Sequence, residues 1–196
     1  RDGTRAVQSV PLAIGGTAVT ALLGAGTSFL VLTGQEALGA YRIWVVGSLS
    51  GRSLDGLAPV VALLVAGATC AVANVRSLNN LALGTELAQG LGESLLRARL
   101  VGLGAVTLLT AAAVALAGPI GFIGLTAPHL ARRLVGGDHY RLLPASALVG
   151  GVTLLACDVV GRLIGGQAEV AVGVVLATLG GVVFVMIVRR AKLSAL

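Results

Sequence analysis

Charge and aromatic rings are both scarce in this chain of 196 residues: 11% of the residues are charged and 3% aromatic, against 56% hydrophobic. So few charges cannot cover the surface of a soluble domain, which makes this an integral membrane protein. So few rings leave the arginines without stacking partners, and nucleic-acid binding is therefore excluded as the reason for the formal charge of +6. Cysteine is nearly absent. Cys70 and Cys157 each stand inside an apolar run and neither begins a CxxC pattern, which leaves packing as their role and indicates no disulfide. His129 and His139 lie ten positions apart, not at ligand spacing, so no metal site is expected. No nucleophile elbow, zinc motif or phosphate loop occurs, and neither a catalytic residue nor a cofactor is assigned. An initiating methionine and a signal peptide are also missing, so the sequence, starting at Arg1, reads as part of a longer chain.

What the chain has instead is long apolar runs. Six segments are candidate membrane helices, at residues 7–32, 56–73, 100–117, 121–135, 143–161 and 171–188. Five reach or nearly reach the roughly 17 to 25 residues needed to cross a bilayer. The segment 121–135 is short and carries Pro128, His129, Arg132 and Arg133. Arginine and lysine collect on cytoplasmic flanks. Assigning alternate loops to that side gathers eleven: Arg1, Arg5, Arg76, Arg97, Arg99, Arg132, Arg133, Arg141, Arg189, Arg190 and Lys192. The other side holds only Arg42, Arg52 and Arg162. Both ends are therefore expected in the cytoplasm, and the positive charge serves topology and attraction to anionic membrane lipid.

Glycine is abundant, with 29 residues. Gly16, Thr20, Gly24 and Ser28 recur every four positions, on one helical face that another helix can approach closely, and Gly173, Ala177 and Gly181 repeat the device. Ordinary internal packing, a subunit interface and a pathway lined by small residues are all compatible with such stripes.

Polar residues interrupt the apolar pattern in two places. The stretch 76–99, RSLNNLALGTELAQGLGESLLRAR, predicts a short helix beginning at Glu86, capped by Thr85 and ended by Gly90 and Gly92, with Ser94 near the start of the next membrane helix. Leu81, Leu83, Leu87 and Leu91 beside Glu86 suit either a partner groove or an interfacial amphipathic loop. The stretch 118–162 plants rare polar groups among apolar runs, where each is a functional candidate. There, Pro128 is expected to break its helix locally, with His129 satisfying the freed carbonyls. Residues 138–141 read as a turn, with Pro144 opening the next helix. Asp158 and Arg162, one turn apart, are placed for an intrahelical ion pair.

Three of these stretches carry a family resemblance. LALGTELAQGLG, with Glu86, Ala88, Leu91 and Gly92, then AGPIGFIGLTAPHLARRLVGGDHYRLLP, then AEVAVGVVLATLGGVVFV, resemble in order and spacing the FecCD-type permeases. These are membrane subunits of bacterial ATP-binding-cassette importers for ferric siderophores, haem and cobalamin. The resemblance implies an all-α polytopic bundle in the plasma (inner) membrane, in which residues 1–196 form the C-terminal portion of one permease domain and match the last six of about ten helices. It implies that 76–99 is a cytoplasmic coupling loop, with Glu86, Ala88, Leu91 and Gly92 seated in a cleft of a separate ATPase subunit that supplies the hydrolysis. Arg162 matches a position that contacts acidic residues of a substrate-binding protein on the outer side, with Glu169 orienting that surface. The stripes at Gly16, Thr20, Gly24 and Ser28 and at Gly173, Ala177 and Gly181 would line a translocation path or dimer interface against a second permease subunit, identical or paralogous. A ferric siderophore is the expected cargo, with cobalamin or haem as the alternative. An intramembrane enzyme using His129 and Asp158 would require those two side chains to converge. A purely structural scaffold would leave the coupling motif unexplained.

Overall fold

A computed structural model describes residues 2–49, 57–165 and 170–181. Every regular element among them is a helix: α1 (Asp2–Thr33), α2 (Gln35–Val46), α3 (Leu57–Ala73), α4 (Val75–Ala82), α5 (Thr85–Gly90), α6 (Leu95–Ala117), α7 (Ile123–Val135) and α8 (His139–Gly165), then α9 (Val172–Gly181). Each of the six apolar segments overlaps one of these helices, and the all-α polytopic architecture follows. Among the described residues three helices are long and apolar enough to cross a membrane, and a fourth if α3 and α4, bent by 44° at their junction, count as one span. With 13 residues α7 is about 20 Å long, well short of a bilayer's hydrocarbon thickness.

The chain divides into two units, Arg1–Ile43 and Trp44–Leu196. In the first, the hydroxyls of Thr17, Thr20, Thr27 and Thr33 each donate back to a carbonyl three or four residues earlier, at 2.8–2.9 Å. This hides polar groups within α1 while Leu22, Phe29 and Leu32 stay exposed, as a lipid-facing helix requires.

In the second unit α3 packs along α6 and α7 along α8. The α6 seam is built from alanines: Ala98, Ala105 and Ala112, seven apart, are buried. Small residues let helices approach closely where lipid offers no hydrophobic drive. Gly67 of α3 contributes from the other side, since a Cβ there would stand 2.8 Å from Leu109 Cγ. On α7, Ala127 and Ala131 are buried, and Gly150 of α8 faces Ala127.

At the end of the bundle where α2, α6 and α8 finish, backbone meets backbone. Trp44 Nε1 donates to the Val114 carbonyl at 3.1 Å, and Gly173 N donates to the Gly47 carbonyl at 3.0 Å. A side chain at Gly173 would strike the Val46 carbonyl, and one at Gly118 would strike that of Trp44. Gly161 has the Val170 carbonyl 2.6 Å from where its Cβ would be. Beside these contacts lies a core of Cys157, Val172, Val175 and Leu176, with Leu49, Ile120, Phe122 and Leu154 packed on it. Phe122 has a φ of 64°, unusual for a bulky residue, and its ring presses on Gly180. Its carbonyl opens α7 by accepting from Leu125 N and Thr126 N, both at 3.0 Å.

Several boundaries differ from those read off the sequence. α2 was not expected, because Gln35, Glu36 and Arg42 interrupt its apolar pattern. α4 was not expected either; VRSLNNLA reads as a loop, and tertiary hydrogen bonds hold it helical. Pro144 does not open α8, which begins five residues earlier, at His139; Arg141 N and Leu142 N bond to the Asp138 carbonyl instead. Pro128 does not break α7, which runs on to Val135.

Candidate functional site

The polar stretch at 76–99 begins with a hinge. Asn74 separates α3 from α4 and is the sole buried polar residue among those described, at 3% exposure. Its Nδ2 donates to the Ala98 carbonyl of α6 at 3.0 Å, so the bend is fixed to the neighbouring helix. A buried amide left unpaired there would cost about 1–3 kcal/mol.

Beyond the hinge, α4 and α5 form a platform. The first residue of α5 is Thr85 and its N-cap is Gly84, so Thr85 lies inside the helix it was expected to cap. The C-terminal end matches expectation more closely. Gly92, with a φ of +83°, donates to the Gln89 carbonyl at 2.9 Å, while Glu93 N donates to that of Ala88 at 3.0 Å. These two bonds are the Schellman closure, which needs a residue in the left-handed region after the last helical turn, and glycine adopts it without strain. Ser94 caps α6, its Oγ accepting from Arg97 N.

The four expected coupling residues therefore divide by role. Ala88 is fully buried, Gly92 closes the helix, and Glu86 and Leu91 are exposed. Leu83 and Leu87 are 62% exposed and Leu91 63%, whereas Leu81 is half-buried. The platform turns three leucines and one acid outward in a region whose own packing uses alanine.

Polar side chains hold the platform in place, and sequence reasoning missed most of them. Glu93 accepts from Ser77 Oγ at 2.9 Å and from Asn80 Nδ2 at 2.8 Å. Asn79 Nδ2 donates to Asp138 Oδ1 at 2.7 Å, and Asn79 Oδ1 accepts from His139 N at 2.9 Å. Arg76 Nε donates to the Tyr140 hydroxyl at 3.1 Å. The Asn79 hydrogen bond first, then the one from Tyr140 N, holds the Asp138 carboxyl below its ordinary value of 3.8. The only prior signal was the density of Asn, Ser and Glu in 76–99.

At the other end of α8, Arg162 Nε meets Asp158 Oδ2 at 2.8 Å, the expected intrahelical pair. Arg162 remains half-exposed, at 51% of its side chain, and Asp158 at 18%. Glu169 lies outside the described residues. His129 is exposed and its side chain makes no hydrogen bond among the described residues, so it does not satisfy the carbonyl that Pro128 frees. It does not converge with Asp158 either. Ala127 faces Gly150, and Asp158 lies eight residues further along α8, about 12 Å away. Among the described residues no group of three metal-ligating side chains exists.

The small-residue stripes differ from one another. A Cβ at Gly16 or Gly24 would meet nothing within 4 Å, and Thr20 and Ser28 are exposed, so that face of α1 is open. On α9, Gly173 is taken up by its approach to Val46 and Gly47, while Ala177 is exposed and Gly181 meets nothing within 4 Å. A cavity between α7, α8 and α9 is lined by Leu130, Cys157, Leu176 and the hydroxyl-bearing Thr126 and Thr153. Both hydroxyls are turned onto their own helix backbones, leaving the cavity apolar.

The sequence model of the FecCD transport family matches residues 3–190. The ferric enterobactin transport system permease protein FepD of Escherichia coli K12 is 41% identical over 96% of this chain and 56% of its own length. The cobalamin import system permease protein BtuC of Halobacterium salinarum is 38% identical over 94% of this chain and 50% of its own. A solved ABC transporter of the metal-chelate type, in an inward-facing conformation, superposes with a TM-score of 0.74 at 31% identity, over 89% of this chain and 57% of that one. The chain thus spans about half the length of the relatives it matches.

Proposed function

This chain belongs to the FecCD transport family, and we propose that it forms part of the permease subunit of an ATP-driven importer whose cargo is a ferric siderophore. The observation that carries the reading is the α4–α5 platform. Glu86, Leu87 and Leu91 stand out from a short helix whose opposite side is sealed by Ala88 and whose end is locked at Gly92. An exposed apolar ridge on a closed, positioned helix is a surface made to enter a groove. The occupant of the other side is an ATPase subunit, and hydrolysis belongs to it. Cobalamin is the second reading, supported by the likeness to a cobalamin permease.

The charge asymmetry supports a cytoplasmic platform and an outward Arg162, which meets a carboxylate on a substrate-binding protein while keeping one donor on Asp158. A second copy or a paralogue of the permease faces the open stripe of α1, along Gly16, Thr20, Gly24 and Ser28, and the open remainder of α9 at Ala177 and Gly181. That arrangement lines a path with small, weakly binding residues. Residues 76–99 are then the coupling loop of a single transmembrane domain that includes all of this chain.

The test is copurification of the ATPase with variants of the native transporter. Glu86→Lys and Gly92→Trp should insert normally yet lose most of the bound ATPase, since one reverses charge and the other adds bulk in a cleft. Wild-type association in both would sink the coupling assignment. For orientation, a single cysteine at Gln167 should react with an impermeant thiol reagent from outside cells and one at Thr85 should not, in a background lacking Cys70 and Cys157. The reverse pattern would invert the topology.

A further inference from the structure

If α5 receives a push from an ATPase, something must carry it to a helix that crosses the membrane. The covalent route leads through Glu93 and Ser94 directly into α6. A second route exists through α4. This helix buries only Val75, so apolar packing is not what fixes it. Its polar side chains work in two pairs, each pair three residues apart and so on one face. Ser77 and Asn80 occupy both carboxylate oxygens of Glu93, whose own N–H closes α5 on Ala88. Arg76 and Asn79 reach the first turn of α8, at Tyr140, Asp138 and His139. Asn79 Oδ1 also stands 2.7 Å from His139 Nδ1. α8 then runs without a break for 27 residues, about 40 Å, and carries the Asp158–Arg162 pair near its far end.

We propose that α4 is the transmission bracket of this transporter, with Glu93 and Asn79 as positioning residues that lock the ATPase-facing helix α5 to the membrane-crossing helix α8. The proposal rests on the reading of α5 as the ATPase contact. A bracket of hydrogen bonds suits the task because side-chain pairs hold two bodies in register while their backbones stay free to tilt. Neither side chain hydrogen-bonds to the outward ridge at Glu86, Leu87 and Leu91, so the two steps, docking and transmission, are separable by mutation.

The experiment uses the complete native transporter, with its ATPase, in proteoliposomes. Asn79→Asp sets a second carboxylate against Asp138 where a donor stood. Asn79→Asp with Asp138→Asn restores one donor facing one acceptor, with the polarity reversed, and leaves His139 N its acceptor, at the expense of Tyr140 N, which shares Asp138 Oδ1 with Asn79. The single variant should keep its bound ATPase and its basal hydrolysis, but lose about tenfold in transport and in hydrolysis stimulated by loaded binding protein. The double variant should recover most of both. Glu93→Ala should resemble the single variant, and Glu93→Gln, which still offers an acceptor and whose amide Asn80 can meet by turning over, should resemble wild type.

The bracket is overturned by wild-type stimulation and transport in Asn79→Asp, by a double variant as impaired as the single at equal assembly, or by a loss that merely tracks the amount of assembled complex. Failure of the docking reading looks different: Glu86→Lys would then retain the ATPase. If Glu86→Lys strips the ATPase while Asn79→Asp couples normally, the push travels through α6 and only the bracket is wrong.

Discussion

The two ends of the second unit are fastened in opposite ways. Where α2, α6 and α8 finish, glycine lets backbones touch: Gly47 and Gly173 share a hydrogen bond, and Gly118 and Gly161 lie against carbonyls. Around the start of α8, long polar side chains reach across open space, and the participants are half-buried or exposed. A backbone contact has no rotamer to change and tolerates no added atom, so it acts as a weld. A side-chain hydrogen bond tolerates displacement of a few tenths of an ångström and can be traded for water. The comparison teaches that this unit is fixed by backbone at one end and adjustable at the other, and the adjustable end is the one carrying the α4–α5 platform.

The sharpest way to break the comparison is to add atoms at the weld. Gly173→Leu or Gly118→Val should cost about 3 kcal/mol or more, because overpacking and a disfavoured φ combine at Gly118 and a backbone collision occurs at Gly173. The measure is the folded, monodisperse fraction after detergent extraction. Near-normal yield in both would show that this end gives way as easily as the other.

A smaller effect is expected where the bracket is cut. Ser77→Ala removes one hydrogen bond to Glu93 and should lower thermal stability by about 0.5–1.5 kcal/mol. A loss as large as that at Gly173 would erase the distinction between the ends.

The surface pair comes next. Arg162→Glu sets two carboxylates one turn apart, at a cost to stability of about 0.2–1 kcal/mol given the exposure of the guanidinium. Its larger effect should fall on association with the proposed binding protein, weakened most at low salt and partly restored by an opposite charge swap on that partner. Unchanged affinity at normal abundance would remove the docking role.

The smallest effect is one of acidity. The folded Asp138 carboxyl lies below its ordinary value of 3.8, so its contribution is present above that pH and lost as pH falls through the depressed folded value. Between pH 8 and pH 5 the bracket should be insensitive to this group. A mid-range loss of stability that Asp138→Asn abolishes would contradict the assignment.

The apolar architecture was legible because lipid imposes a length and a composition on each span, and both are visible in one dimension. The motif at Glu86 to Gly92 was legible because helix ends have local chemistry, and Gly92 in particular announces a left-handed turn. The roles of Glu93, Asn74 and Asn79 were not. Each finds its partner 13 to 60 positions away, and no periodicity encodes such a pairing. α4 was hidden for the same reason: Asn79 and Asn80 favour loops intrinsically, and only their distant partners make a helix of them. Gly173 shows the converse case. Its place in a small-residue stripe was compatible with internal packing, an interface or a pathway, and the structure sets Gly173 against the carbonyls of Val46 and Gly47.

The bond between Gly173 and Gly47 also has a consequence in time. The ribosome delivers Trp44 to Leu49 long before their partner, and at roughly 5–20 residues per second the wait for Gly173 is about 6 to 25 s. Throughout that interval the Gly47 carbonyl lacks its native donor, at the edge of a membrane that supplies none in its interior. The weld thus closes late in synthesis, and one half of it waits without its native partner until the other arrives.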